Sequence, residues 1–255
     1  MEITEKSFWE NYWGDIKLPV RVNLEFKNDR VITEVIQKNI PQGNETKRAL
    51  EIGCAPGKWI LFLYEKLNYS IDGFEYLDIA AQKTRENFET CNVPSNRFEV
   101  ITADFLTQIP TPVYDLVLSL GFIEHFENYE DIFQKHISYT KKGGYTVIGF
   151  PNFRGLNYYV QRLIDTISGS QIIENHNVSM MRKDVVNQMV LHSKCKEIFV
   201  DYIGGFEPGL FNVNDIKNSL LRFLIKVMLK SFGIIFNRSS SPYLASYFIF
   251  VIKND

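Results

Sequence analysis

The chain has little cysteine. Its three copies, Cys54, Cys91 and Cys195, are scattered over 255 positions. An odd, dispersed set offers neither a disulfide framework nor the paired spacing of a metal centre, so a reducing, cytoplasmic setting is expected. Histidine is also sparse. The four copies show no paired ligand spacing, and no resident metal is expected. Charge of one sign is lacking too: 28 basic against 30 acidic side chains leave a formal net charge of −2. That balance gives no general pull toward nucleic acid or an anionic membrane. The opening Met1-Glu2-Ile3-Thr4-Glu5-Lys6 is charged, with no apolar signal-peptide core behind it. No internal repeat or low-complexity linker divides the chain. The remainder, 45% hydrophobic and 23% charged, suits a single domain over 1–255.

The most informative stretch is Ala49-Leu50-Glu51-Ile52-Gly53-Cys54-Ala55-Pro56-Gly57-Lys58-Trp59. It reads as a short buried strand that ends in a tight glycine turn and runs straight into a helix over 58–67. Such a turn lets a ligand approach bare backbone, and the next helix aims unpaired N–H groups at it. Glu51, ahead of the first glycine, selects the ligand's charge. Its carboxylate would repel a pyrophosphate and welcomes a cation. S-adenosylmethionine fits, because it carries an ammonium and a sulfonium and no phosphate.

Further blocks follow in order. A second strand over 70–76 ends in Glu75 and Tyr76, and an acid there can hold a ribose diol through two hydroxyl hydrogen bonds. A third, over 97–102, runs into Ala103-Asp104-Phe105, where the carboxylate can accept from an adenine amino group and the ring can cover a purine face. A fourth, over 114–120, closes on Ser119 and Leu120 and leads into Gly121-Phe122-Ile123-Glu124-His125-Phe126. Lys141-Lys142-Gly143-Gly144 then reads as a turn into a fifth strand over 145–150.

In this order the blocks resemble the class I S-adenosylmethionine-dependent methyltransferases. More narrowly, they resemble the small-molecule branch whose fourth strand ends in Ser-x-Gly-x-x-Glu-His. The resemblance covers 49–151 well and the flanks loosely. Its specificity lies in the ordered set, since each block alone is common. One position departs: the middle glycine of the acid-x-Gly-x-Gly-x-Gly turn is Ala55, followed by Pro56. Alanine is still small, and proline holds φ near the turn value. The resemblance implies an α/β, Rossmann-like open sheet of seven strands, mostly parallel with an antiparallel last strand and helices on both faces. It also implies S-adenosylmethionine as cofactor, held by Glu51, Gly53, Cys54, Ala55, Gly57, Glu75, Tyr76, Asp104, Phe105, Ser119 and Leu120.

The flanks carry what is individual. Residues 1–45 are expected to form a helical lid, with Phe8-Trp9-Glu10-Asn11-Tyr12-Trp13 on a short helix that covers the cofactor, packs on the core, or does both. A helix over 29–40 stops at Pro41. Two insertions, 151–182 and 204–241, are assigned to substrate or partner. The first is rich in Asn, Tyr, Arg and Gln and holds His176, either a substrate contact or a solvated loop side chain. The second contains an apolar helix over 220–236 in which Arg222, Lys226 and Lys230 recur every four residues as one basic stripe. It is too short and too charged to span a bilayer. Through 218–236 it could touch a membrane surface or a second copy, or pack on the body. A helix over 182–192, a sixth strand near 197–202 and a last strand over 243–253 complete the expected order.

Methyl transfer is an in-line displacement, and an oxygen acceptor must also lose a proton to a base in reach. His125 is the candidate base and Glu124 its partner; the alternative role for both is to shape the cofactor pocket. Asp115 is read as support for the fourth strand. An RNA ribose methyltransferase would need an Asp where Ser119-Leu120-Gly121 stands, and an RNA cytosine enzyme a Pro-Cys pair that no cysteine here supplies. The Asn/Asp-Pro-Pro-aromatic loop of amino-group methylation is also missing. What is left is a small or medium acceptor, an oxygen on a metabolite, saccharide or lipid. A protein that binds the cofactor as a non-catalytic partner subunit stays open beside it, and a nicotinamide dehydrogenase is disfavoured by Glu51 and Asp104-Phe105.

Overall fold

The computed structural model describes Ile3, Trp9 and residues 16–111, 113–237 and 240–255. The expected lid helix at 8–13 lies outside the described residues except for Trp9.

Seven strands form one sheet: β1 Arg48–Ile52, β2 Ser70–Glu75, β3 Phe98–Thr102, β4 Tyr114–Leu120, β5 Thr140–Pro151, β6 Lys196–Ile203 and β7 Tyr247–Lys253, in the order β3-β2-β1-β4-β5-β7-β6. The first five pair in parallel and β7 runs antiparallel between β5 and β6. This is the open Rossmann-like sheet that the sequence blocks imply. Its strands are apolar on both sides because both faces are covered. The period of two sorts them: Ala49, Leu116, Leu118, Ile249 and Val251 pack into one core, while Leu50, Val117, Phe248, Phe250 and Ile252 pack into the other. Every one of these side chains is fully buried, and each contributes about 1.5–3 kcal/mol where it is large.

The helices are α1 Lys27–Asn39, α2 Lys58–Leu67, α3 Asp78–Thr90, α4 Tyr129–Tyr139, α5 Leu156–Ser168, α6 Lys183–Ser193 and α7 Ser219–Ile235. Two boundaries correct the sequence reading. Lys141-Lys142-Gly143-Gly144 is not a turn ahead of β5 but its first part, because Gly143 donates to Asn254 and Asn254 donates to Gly144 across the strand edge. The last strand begins at Tyr247, not at 243, because the amides of Leu244 and Ala245 both fold back on the Ser241 carbonyl. Asp115 supports its strand as expected, accepting from the Arg48 amide at 3.0 Å and from Lys47 and Lys141.

The two insertions, read separately in the sequence, pack on each other. Val160 and Ile164 of α5, Phe206, Phe211 and Ile216 of the connecting loops, and Ile225 and Leu229 of α7 share a third apolar cluster. Only Ile225 and Leu229 of α7 are buried. Leu220, Phe223, Leu224, Val227, Ile234 and Ile235 stay exposed along its other side. Any contact of this helix with a membrane or a second copy has to use that face. No helix among the described residues is long and apolar enough to cross a membrane.

The turn after β1 is tightly packed. Gly57 sits at φ +87°, and a Cβ there would lie 2.5 Å from Phe88 Cε1 and 3.0 Å from Thr84 Cγ2 on α3. Gly57→Ala is expected to cost about 2 kcal/mol or more, from the left-handed backbone plus the overlap. Urea unfolding followed by circular dichroism measures it, and an unchanged midpoint would refute this account of the turn.

Candidate functional site

The pocket opens at the carboxyl ends of β1, β2, β3 and β4. Gly53, at φ +67°, ends β1, and a Cβ on it would meet the Phe122 ring at 2.7 Å. The amides of Gly53 and Cys54 both donate to the Phe74 carbonyl, at 3.0 and 3.2 Å, which draws the turn against β2. That places Glu75 at the lip. Its Oε1 accepts from the Tyr76 and Leu77 amides at 3.0 and 3.2 Å, and the Ala55 amide also faces the carboxylate. Burial raises the Glu75 pKa, and these amides oppose the rise. Asp104 is exposed at the end of β3, with Oδ1 accepting from the Leu106 amide at 2.8 Å. Phe105 packs edge-on to Phe74 and Phe122.

Of the expected site residues, Gly53, Glu75, Tyr76, Asp104, Phe105 and His125 line the pocket. Trp9, Phe74, Ala103, Leu106, Gly121, Phe122 and Phe126 complete the lining. Cys54, Ala55 and Gly57 belong to the turn and do not line it. Glu51 also lies behind the wall. It is 2% exposed, and its Oε2 accepts from the Ile60 amide at 3.0 Å, so it caps the first turn of α2. Burial holds its pKa well above the usual carboxylate range. Ser119 and Leu120 do not reach the pocket either. Ser119 is wholly buried, paired to His136 Nε2 at 2.9 Å. Phe74, Phe122 and Phe126 line the pocket without being among the residues the sequence motifs pick out. Phe122 and Phe126 flank the Glu124-His125 pair, and that spacing was the available signal.

Beside the glycine turn the pocket wall is polar and buried. His125 donates Nδ1–H to the Asn175 carbonyl at 2.8 Å, and His176 donates Nδ1–H to the Ile172 carbonyl at 2.6 Å. A carbonyl can only accept, so both rings carry the proton on Nδ1 and present Nε2 as a lone pair. The two rings lie 4.6 Å apart, with Trp9 edge-on to His125 and Phe153 edge-on to His176. Glu124 is wholly buried, its Oε1 lies 3.9 Å from His125 Nε2, and neither oxygen has a hydrogen-bond partner among the described residues. The Asn177 amide donates to the Glu124 carbonyl at 2.7 Å and fastens the first insertion to this wall. The sequence view of the histidines as dispersed therefore fails in space: His125 and His176 meet because the insertion folds back over the end of β4.

Burial sets the charge state. It pushes Glu124 up to about 8, and lowers His125 to about 3 with help from His176; His176 itself falls to about 4. At neutral pH the cluster is uncharged, with the carboxyl protonated.

An open seven-stranded sheet whose pocket spans the strand ends at the order reversal between β1 and β4 defines a Rossmann-like cofactor-binding protein. The family is narrower. A family model described as a methyltransferase domain matches residues 25–190, well over half of the chain, and the chain belongs to that family. A search of curated proteins finds no match. Among solved structures, phosphoethanolamine N-methyltransferase 2 of Haemonchus contortus in complex with S-adenosyl-L-methionine superposes with a TM-score of 0.62 at 13% identity, over 88% of this chain and 52% of that one. The chain thus spans about half the length of that protein. Geranyl diphosphate C-methyltransferase of Streptomyces coelicolor, solved with magnesium, geranyl diphosphate and S-adenosyl-L-homocysteine, superposes with a TM-score of 0.64 at 10% identity, over 98% and 97% of the two chains. At such identities the likeness is one of fold.

The proton on Glu124 makes a prediction. Its folded pKa of about 8 exceeds the ordinary 4.5, so the folded state holds a proton that the unfolded state releases. Stability from this group is full below pH 4.5 and is lost as pH rises toward 8. In EDTA-treated protein, Glu124→Gln is therefore expected to gain on the wild type over that window. Parallel pH–stability curves for the two would show an ionised Glu124.

Proposed function

We propose that the protein transfers a methyl group from S-adenosylmethionine to an oxygen of a small or medium acceptor: a metabolite, a saccharide or a lipid. One observation carries the cofactor reading. Among the described residues the pocket lining contains two carboxylates, Glu75 and Asp104, and neither lysine nor arginine. A phosphate-bearing dinucleotide is repelled there, whereas a nucleoside whose other end is a sulfonium and an ammonium is accommodated. Glu75 would hold the ribose hydroxyls, Asp104 and Phe105 the adenine, and the bare backbone of Gly53 the sulfonium end.

The cofactor supplies an electrophilic methyl group on sulfur. The S–C bond breaks as the O–C bond forms, so the chain's task is to align an acceptor oxygen and dispose of its proton. Both fall to the wall formed by Glu124, His125 and His176. His125 is the member that lines the pocket, and Glu124 stands behind it. An oxygen acceptor suits this wall because an oxygen has a proton to lose and the wall has lone pairs to take it. Phe74, Leu106, Phe122 and Phe126 surround the path with apolar side chains and limit water. The competing reading is a protein that binds the cofactor without turnover. Release of S-adenosylhomocysteine in the presence of hydroxylated acceptors separates the two.

Calorimetry with S-adenosylmethionine and, in parallel, NAD tests the cofactor: the former alone is expected to bind. Glu75→Ala should weaken that binding by about 1–3 kcal/mol, since a charged acceptor for the ribose hydroxyls is lost. Unaltered affinity would remove Glu75 from the assignment. His125→Ala is expected to lower turnover about a hundredfold or more, with cofactor affinity retained. Near-normal turnover in that variant would return His125 to a purely structural role.

A further inference from the structure

We infer that Glu124, His125 and His176 form a binding site for one divalent transition-metal ion whose open face is turned to the cofactor pocket. The inference rests on the reading of that pocket as the place of methyl transfer.

The donor set comes first. One carboxylate oxygen and one nitrogen from each histidine lie within 4.8 Å of one another. Donors at about 2.0–2.2 Å around a tetrahedral ion stand roughly 3.3–3.5 Å apart. The Glu124 Oε1 to His125 Nε2 distance of 3.9 Å is already near that spacing. A bound ion would have to draw the other donors in from separations of up to 4.8 Å.

The orientation of the rings is the second observation. Each histidine gives its Nδ1–H to a backbone carbonyl, of Asn175 and of Ile172. This is how metal-bound imidazoles are held, with the outer nitrogen fixing both the tautomer and the direction of the inner one. His136 carries the same anchoring to the Ile132 carbonyl but turns its Nε2 to Ser119; what sets His125 and His176 apart is that the two rings meet at one carboxylate.

The third observation is Glu124 itself. A wholly buried carboxyl with neither oxygen in a well-formed hydrogen bond among the described residues is costly, and the Glu124 and Phe122 amides that face it offset only part of its burial. A cation between the three side chains supplies the missing partner. The same purpose is served by the chain around it. The Asn177 amide on the Glu124 carbonyl, and Asn177 Nδ2 on the Phe126 carbonyl at 3.1 Å, lock the strap bearing His176 to the segment bearing the other two.

Two imidazoles and one carboxylate favour zinc, iron or manganese over magnesium or calcium, which take oxygen sets. Three protein ligands leave a coordination position open, and His125 sets that position at the pocket wall. A hydroxyl or carboxylate acceptor that fills it is oriented by the ion and gives up its proton to solvent more readily. The substrate class narrows accordingly to acceptors whose reacting oxygen can ligate a metal.

Chelator-stripped protein titrated with zinc chloride in a calorimeter tests the site. One equivalent is expected to bind, with affinity reduced about tenfold or more in Glu124→Gln and in His176→Ala. No binding to the wild type, or equal binding in both variants, overturns the site. Cobalt(II) gives a check that needs no variant. Visible bands of a four-coordinate nitrogen–oxygen centre support the site, and a near-ultraviolet thiolate band would move the ion to Cys54, Cys91 or Cys195 and overturn it. Magnesium that binds as tightly as zinc also overturns it. S-adenosylmethionine is titrated separately into the stripped protein. Cofactor binding without zinc binding sinks the metal site alone, and zinc binding without cofactor binding sinks the pocket reading alone.

Discussion

The Phe74 carbonyl, accepting from the amides of both Gly53 and Cys54, is the interaction on which the pocket depends. It ties the end of β1 to the end of β2 at a point where an ordinary strand pair would already have parted. The tie is available only because the backbone is bare on both sides. Gly53 takes a left-handed φ, and on β2 the side chain of Cys54 lies where any Cβ on Gly73 would be. Once the two strand ends are drawn together, Glu75 falls beside the Ala55, Tyr76 and Leu77 amides, and a buried acid becomes tolerable at the lip. Glu51, one turn below, is engaged by the Ile60 amide at the start of α2. The hydrogen bonds to Glu51 and Glu75 thus come from backbone N–H groups, and neither lysine nor arginine is among the described residues that line the pocket. The pocket stays negative in character, and that property separates a sulfonium ligand from a pyrophosphate.

The other side of the pocket follows a different rule. Glu124, His125 and His176 are buried with few partners, and burial drives each toward its neutral form. Neutral imidazoles with Nδ1 already engaged are poor cations and good ligands. A neutral wall of this type has lone pairs on the imidazoles to offer, and a cation placed among them would be compensated if Glu124 released its proton to solvent. Their apolar surround of Trp9, Phe122 and Phe153 keeps the local dielectric low, so the compensation is strong.

Much of this was legible in the chain. Strand alternation, the glycine turn and the acids at 51, 75 and 104 follow from local rules that act over a few residues, and the sheet order agrees with them. What was not legible depends on long-range folding. Ser119 reads as a strand-end contact, yet it turns inward to His136 because β4 is covered by α4 on that face. Glu51 reads as a ligand contact, yet the nearest unpaired donors belong to the helix that the turn itself starts. His176 reads as a lone loop histidine, and only the return of the first insertion over the end of β4 brings it to His125. No period or spacing within a single segment encodes such a meeting. The two insertions illustrate the same limit, since their shared core of Val160, Ile164, Phe206, Ile225 and Leu229 joins side chains that are far apart in sequence.

If the proposed function holds, the insertions would also let one sheet serve different acceptors. The cofactor half of the pocket is built from turns that the sheet forces into place, so its chemistry varies little without loss of the fold. The other half is built from the 3-10 turn at Ile123–His125 and from a strap held by Asn177 and Asn175. The strap begins beyond the carboxyl end of β5, outside its pairing with β4 and β7, where added length disturbs no strand pairing. A change in that strap can replace His176, widen the space beside Phe153 or alter the carbonyl that holds His125, while β1, β2 and their glycine turn remain as they are. On the proposed reading, specificity would be carried by the part of the chain least constrained by the sheet. Family membership alone, which rests on residues 25–190, defines the reaction class more closely than the acceptor.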